Sequence, residues 1–204
     1  MAYFFAIWDR DFLTENEKGL IENTNSKIFV WNKYHIENYL LDFDIIHTVL
    51  ERNLVPNLLS SSDDVRQKMK KIVIDHTDYY LSKMTNQALN DKIGSIYFDV
   101  GFPDVAEHAI TQAEKIRNRI GAVLDSEKIK QVVALKVKEF NKAIDEEKWM
   151  DVFPGRYLLK QFLTKYSSGL AYEQFKNQIT REIADQNKIP NEISTKIKSI
   201  LTNV

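Results

Sequence analysis

Two short hydrophobic runs near the N-terminus have the pattern of buried β-strands. Residues 3–8 have the sequence YFFAIW and residues 27–31 the sequence KIFVW. Uninterrupted apolar runs rich in aromatic and β-branched residues are typical of strands covered on both faces, as in parallel sheets. The polar residues 14–26 between them are predicted as a loop, which serves as the crossover between two parallel strands.

From Ile36 onward the apolar residues recur with a helical period. One apolar stripe contains Ile36, Tyr39, Leu40 and Phe43, and a second contains Ile45, Ile46, Val49 and Leu50. The two stripes predict two helical segments with a break near residues 42–44. Capping residues and periodicity predict further helices from the Ser60–Asp64 cap to about Leu89, from Asp104 to Arg119, and over 127–143, 155–166, 172–184 and 192–201. Residues 149–154 are predicted as a loop and 97–102 as a weak strand candidate. The fold class is therefore α/β at the front, followed by mostly α.

The composition excludes several classes of functional site. The 204 residues carry 28 basic and 29 acidic side chains, 6 Gly, 4 Pro and no Cys. Cysteine-based zinc sites, disulfides and cysteine nucleophiles are excluded, and a cytoplasmic protein without membrane spans is expected. With a net charge of −1, nucleic-acid binding needs a local basic patch. One candidate patch contains Arg117, Arg119, Lys128, Lys130, Lys136, Lys138 and Lys142, although such a run can also be a solvated helix face.

Two carboxylates follow the first strand directly. Asp9 and Asp11 are separated by one residue and come immediately after the apolar run. Ligands of open α/β sheets gather at the carboxyl ends of strands, and carboxylate oxygens suit Mg²⁺ or Mn²⁺. If the chain stays extended past Asp9, both side chains project to the same side. The alternative is a pair of solvated acids in a strand-terminating loop.

A second acidic segment, His35 to Leu41 with the sequence HIENYLL, follows the second strand. Glu37 can lie on the same rim of the sheet as the two aspartates, with Asn38 or His35 orienting it. The alternative is an ordinary acid in the first turn of a helix, where it is favourable to the helix dipole.

Later in the chain, Pro154-Gly155 opens an apolar helical pattern. Arg156 and Lys160 are spaced i, i+4 on one face of this helix. They can hold a phosphate near a helix N-terminus or balance the acidic residues, and the alternative is a solvated face.

Taken together, WDRDF (residues 8–12), HIENYLL (35–41) and PGRYLLKQF (154–162) resemble the latter part of a Toprim domain. The most similar types are OLD-family nucleases and the related Toprim proteins that act beside ABC-type ATPases in anti-phage defence. The resemblance covers residues 3–45 and 149–163. It implies a partial Rossmann-like Toprim sheet in residues 1–55, a helical insertion over 56–148, and C-terminal helices over 149–204 that pack back on the Toprim part.

The resemblance further implies metal-dependent phosphodiester cleavage of DNA or RNA, including tRNA. Asp9, Asp11 and Glu37 match the positions of metal ligands for Mg²⁺ or Mn²⁺. Arg156 stands where the family commonly has Lys, so it keeps the charge but cannot donate a proton at ordinary pH. Asp9, Asp11, Glu37 and Arg156 are the implied catalytic residues, and Arg156 and Lys160 the implied nucleic-acid contacts. An ABC-type ATPase is expected upstream or on a separate chain, because the sequence contains no P-loop motif.

One feature of Toprim domains lies outside this sequence. Such domains place an essential Glu after their first strand, and only eight residues precede Asp9. The expectation is that the chain is the C-terminal part of a longer protein or pairs with a chain that supplies the strand. Alternative hypotheses are a non-catalytic helical module that docks to an ATPase or forms a homo-oligomer, and an unrelated helical protein.

Overall fold

The structure is a computed structural model. It describes residues 5–11, 13, 15–25, 27–53, 59–93, 105–166 and 169–202. Tyr3, Phe4 and the strand candidate 97–102 lie outside the described residues. Among the described residues, no helix is both long and apolar enough to cross a membrane.

Near the N-terminus, the described residues form a two-stranded parallel sheet. Strand β1 (Ala6–Trp8) pairs with β2 (Ile28–Val30), in a register that places Ile7 opposite Phe29. The predicted parallel pairing is confirmed, and the predicted order of an α/β part followed by a mostly helical part is confirmed as well.

The predicted loop over residues 14–26 is wrong, because helix α1 (Glu15–Thr24) occupies most of it. Three of its ten residues are Glu, a good helix former, and Glu15 and Glu17 in the first turn are favourable to the helix dipole. The crossover between the strands is therefore helical, as is usual in βαβ units.

The chain after β2 is helical. A 3₁₀-helix (Ile36–Leu40) leads into α2 (Phe43–Arg52), whose N-cap Asp42 accepts a hydrogen bond from the backbone N–H of Ile45 at 3.0 Å. The helix predicted to run from the Ser60–Asp64 cap to about Leu89 is interrupted at His76. The remaining helices are α3 (Ser62–Asp75), α4 (Thr77–Ile93), α5 (Val105–Val123), α6 (Ser126–Asp145), α7 (Trp149–Val152), α8 (Gly155–Tyr166), α9 (Tyr172–Asp185) and α10 (Asn191–Thr202). The short α7 replaces part of the loop predicted over 149–154.

The described residues divide into two compact units. The first comprises residues 1–76 and 146–204, and the second residues 77–145. In the first unit the apolar faces of α2, α3, α8 and α9 form the core, whose fully buried side chains include Ile45, Met69, Leu158, Phe162 and Phe175. In the second unit α4 packs against α5 and α6, with Tyr80 of α4 against Phe140 of α6 at a ring separation of 5.2 Å.

Side chains cover the edge of β2 that faces away from β1. Val30 donates its backbone N–H to Glu22 of α1 at 3.0 Å, and its carbonyl accepts from Nζ of Lys196 of α10 at 2.9 Å. Glu192 of α10 accepts the backbone N–H of Asn32 at 2.8 Å. These contacts satisfy backbone groups that a third strand would otherwise bind.

Candidate functional site

The two aspartates that follow β1 both contact the segment that follows β2. Oδ1 of Asp9 accepts the backbone N–H of Ile36 at 3.1 Å, and Oδ1 of Asp11 lies 3.0 Å from Nε2 of His35. The backbone N–H of Asp11 also donates to the carbonyl of Tyr34 at 3.0 Å. Because parallel strands end at the same side of a sheet, the acidic segment and the HIENYLL segment meet there.

The chain does not stay extended between the two acids. Asp11 adopts a left-handed backbone conformation with φ of 44°, which Asp tolerates better than most residues. Arg10 holds this turn by donating to the carbonyls of Leu13 at 3.0 Å and Asn32 at 2.8 Å. The two carboxylates are exposed, and each has its Oδ2 outside the hydrogen bonds found among the described residues.

Glu37 is directed toward Arg156. Its side chain is buried, and its Oε1 accepts a hydrogen bond from Nε of Arg156 at 2.8 Å. The hydroxyl of Tyr172 lies 3.4 Å from the same oxygen. The prediction that Arg156 can balance an acidic residue is confirmed by this contact.

The ionisation of Glu37 follows from these neighbours. Burial favours the neutral acid, but the Arg156 hydrogen bond, a backbone hydrogen bond and the charges of Arg156 and His35 outweigh it, so the pKa of Glu37 is lowered. Burial and the Glu37 charge raise the pKa of Tyr172 to about 12. Glu37 is therefore a carboxylate at neutral pH, and the Tyr172 hydroxyl keeps its proton.

Asn38 joins the HIENYLL segment to the Pro-Gly segment. Its Oδ1 accepts the backbone N–H groups of His35 at 2.9 Å and Gly155 at 3.1 Å. Its Nδ2 donates to the carbonyls of Met150 and Phe153, both at 2.7 Å. All four hydrogen-bonding positions of this buried amide are used, which fixes its orientation.

Gly155 is required by the same packing. A Cβ at this position would lie 2.7 Å from the backbone nitrogen of Asn38 and 2.8 Å from its Oδ1. Only glycine lets α8 begin this close to the 3₁₀-helix. Arg156, the next residue, is thereby placed beside Glu37.

Lys160 lies one turn further along α8, against Tyr172 rather than an acid. Its Nζ is 5.1 Å from the centre of the Tyr172 ring, and Nζ of Lys176 is 5.6 Å from the same ring. Both distances are within the range of cation–π attraction. Sequence reasoning missed Tyr172, which is far from Glu37 along the chain and has no local motif to mark it.

The three predicted metal ligands contact two different sets of residues. Asp9 and Asp11 contact residues 35 and 36, whereas Glu37 contacts Arg156. In the part of the chain that the structure describes, no group of three or more His, Cys, Asp or Glu side chains is arranged to hold a metal ion. A shared cation for all three carboxylates stays a prediction.

No protein-family model matches this chain, and no curated protein or solved structure matches it either.

Proposed function

We propose that this chain is the C-terminal part of a Toprim-type, divalent-metal-dependent nuclease that cleaves phosphodiester bonds in DNA or RNA. On this proposal it works in the cytoplasm with an ABC-type ATPase, in anti-phage defence, and its two-stranded sheet is part of a Rossmann-like Toprim sheet. The observation that carries the proposal is the contact of Asp9 and Asp11 with residues 35 and 36, at the shared carboxyl end of two parallel strands.

The donor set fits Mg²⁺ or Mn²⁺ in part. Asp9 and Asp11 offer exposed carboxylate oxygens, the ligand type that these hard cations prefer. A bound divalent ion would activate a water and stabilise the leaving oxygen of a phosphodiester. Glu37 uses Oε1 for its contact with Arg156, so it could join the ligands through Oε2 or by giving up that contact.

Arg156 supplies the second part of the proposed chemistry. Its guanidinium is directed to Glu37 through Nε, while 59% of the side chain is exposed. The Nη groups can donate to a phosphate oxygen in the bidentate manner that Arg favours. Arg156 would then stabilise negative charge without transferring a proton.

The proposal is tested by thermal unfolding of the full chain with and without Mg²⁺ or Mn²⁺. Saturating metal is expected to raise the melting temperature by several degrees, because a ligand at about 100 times its Kd adds about 2.7 kcal/mol. The double variant Asp9→Asn/Asp11→Asn should lose this shift. The control Asp78→Asn/Asp185→Asn removes the same charge at exposed positions elsewhere and should keep it.

If metal does not raise the melting temperature of the wild type, or raises it equally in both double variants, the proposed metal site is rejected. Nuclease activity of the full chain is then measured with DNA and RNA in Mg²⁺ or Mn²⁺. Cleavage that persists in the Asp9→Asn/Asp11→Asn variant would contradict the proposed role of these residues.

The second candidate function is a non-catalytic interaction or oligomerisation module. It is favoured by the contact of Glu37 with Arg156, since this carboxylate already has a cationic partner within the chain. This candidate predicts no metal shift and a concentration-dependent mass in sedimentation. A monomer with a metal shift that depends on Asp9 and Asp11 would reject it.

A further inference from the structure

Two lysines lie over the ring of Tyr172, and Arg156 and the Tyr172 hydroxyl contact the same oxygen of Glu37. The residues are Arg156 and Lys160 from the first half of α8, and Tyr172 and Lys176 from the first half of α9; together they are called the Tyr172 cluster. The two lysine Nζ atoms lie 5.1 and 5.6 Å from the ring centre. The ring thus links the cationic groups of two helices into one surface.

The Tyr172 cluster has a positive excess that an anion can reach. Lys176 is paired with Glu173 at 2.6 Å and Arg156 with buried Glu37 at 2.8 Å. Lys160 is exposed, and no carboxylate of the described residues lies within ion-pair distance of it. Three positive charges therefore face two negative ones, and one of these two is buried beneath the surface.

The backbone of both helices adds to this preference. Arg156 and Tyr172 lie in the first turns of α8 and α9, where the helix dipoles favour negative charge. The contact with the ring limits the freedom of the lysine side chains without removing their charge. Sites for single-stranded nucleic acid combine positively charged side chains, which follow the phosphate backbone, with aromatic side chains on which bases stack.

A cavity between α1, β2 and α10 differs from this cluster. It has a volume of about 550 Å³ and is lined by residues that include Glu22, Asn32, Glu192 and Lys196. Glu22 pairs with Lys196 at 3.1 Å, and Glu192 accepts the N–H of Asn32. Its charges thus satisfy partners within the protein, whereas Lys160 is available to an incoming anion.

We propose that the Tyr172 cluster binds the phosphate backbone of a single-stranded nucleic acid and presents it beside the acidic residues. The inference rests on the proposed function, since it names the surface that would hold the substrate of that site. It assigns binding roles to Tyr172 and Lys176, in addition to Arg156 and Lys160.

The test measures binding of the full chain to a fluorescently labelled single-stranded DNA oligonucleotide by anisotropy, in EDTA and over a range of salt concentrations. Lys160→Ala is expected to weaken binding by about threefold to tenfold and to reduce the salt dependence, since one phosphate contact contributes about 0.7 to the slope for single strands. Lys160→Ala/Lys176→Ala should weaken it further. Tyr172→Ala should weaken binding, while Tyr172→Phe, which keeps the ring, should retain it.

Lys165→Ala is the matched control. Lys165 is an exposed lysine on the same helix whose Nζ also lies 5.9 Å from an aromatic ring, that of Tyr166, but it is paired with Asp75 at 3.1 Å. Its substitution removes the same charge and should leave the affinity and the salt slope unchanged. Thermal melting of every variant separates loss of binding from loss of folding.

The inference is overturned if the wild type does not bind the oligonucleotide, or if Lys165→Ala weakens binding as much as Lys160→Ala. Equal binding by the wild type and Tyr172→Ala would likewise overturn it. Because the assay contains EDTA, its outcome is independent of the metal site. If metal does not raise the melting temperature but DNA binding depends on the Tyr172 cluster, only the nuclease proposal is rejected. If metal raises the melting temperature but DNA binding does not depend on the cluster, only the binding surface is rejected.

Discussion

The backbone N–H of Gly155 donates to Oδ1 of Asn38 at 3.1 Å, and this contact joins two segments that are far apart in the sequence. The HIENYLL segment supplies Glu37 and the Pro-Gly segment supplies Arg156. Since the contact is buried and leaves no room for a Cβ, the pairing of Glu37 with Arg156 depends on it.

Gly155→Ala should destabilise the protein. The added Cβ would lie 2.7 Å from the backbone nitrogen of Asn38, so the backbone must shift, at a cost of about 1–3 kcal/mol. Urea unfolding followed by circular dichroism measures this change. Gly19→Ala in α1 is the control: its Cβ would meet nothing within 4 Å, and it should stabilise by about 0.5–1 kcal/mol. Equal effects of the two substitutions would contradict the close approach.

Asn38→Ala should also be strongly destabilising. It leaves two backbone N–H groups and two carbonyls without the amide that now pairs with them. Unsatisfied buried groups cost about 1–3 kcal/mol each, and partial access of water reduces the total to about 3 kcal/mol. Asn16→Ala, at an exposed position of α1, should change the unfolding free energy by less than about 0.5 kcal/mol. A mild effect of Asn38→Ala would show that water replaces the amide.

Arg156→Met should reverse the contribution of Glu37 to the pH dependence of the free energy of unfolding. In the wild type the pKa of Glu37 is lowered from 4.5, so its stabilising contribution is complete above about pH 4.5 and is lost as the pH falls. Without Arg156, burial dominates and the pKa rises, so the variant loses stability as the pH increases. The difference from the wild type should grow between about pH 4 and 7, to about 2 kcal/mol, because Arg156 is partly exposed.

Chemical denaturation at several pH values measures this difference. Arg181→Met, at an exposed position of α9, is the control and should show no such trend. The double variant Glu37→Gln/Arg156→Met should recover part of the lost stability at neutral pH, since no buried charge remains. A difference that is the same at every pH would contradict the ionised state of Glu37.

Glu147 should contribute to the acid sensitivity of the first unit. Hydrogen bonds from Lys70, Trp149 and Arg66 outweigh the opposing effect of burial and lower the pKa of Glu147 to about 2. Its contribution is therefore present above about pH 4.5 and is lost as the pH falls toward 2. Glu147→Gln should lower the melting temperature at pH 7 and flatten its decline in acid. Glu114→Gln, at an exposed position of α5, should leave the pH profile parallel to that of the wild type.

The elements that sequence reasoning found are those with one-sided burial. Ile45, Ile46, Val49 and Leu50 are all buried on one face of α2, so their spacing predicts the helix directly. Helix α1 contains few apolar residues and leaves Leu20 exposed, so its pattern carries no helical period. Its three Glu residues favour a helix, but its Asn, Gly and Thr residues do not, so the segment has no clear helical signal.

The sequence predicts the part of the candidate site that depends on the order of the strands. Asp9 and Asp11 meet residues 35 and 36 because parallel strands end on one side, which follows from the order of the segments. The contacts of Tyr172 with Glu37 and Lys160 depend on how α9 packs against the rest of the unit. Such packing is set by many distant side chains, and local spacing does not encode it.

The side chains along the β2 edge of the sheet restrict where a further strand could pair. Glu22, Lys196 and Glu192 already satisfy the backbone of Val30 and Asn32, so no incoming segment can hydrogen-bond there without displacing α10. On the other margin, Ile7 and Trp8 of β1 are 42% and 46% exposed. A strand added beside β1, on the opposite edge, would leave α10 in place.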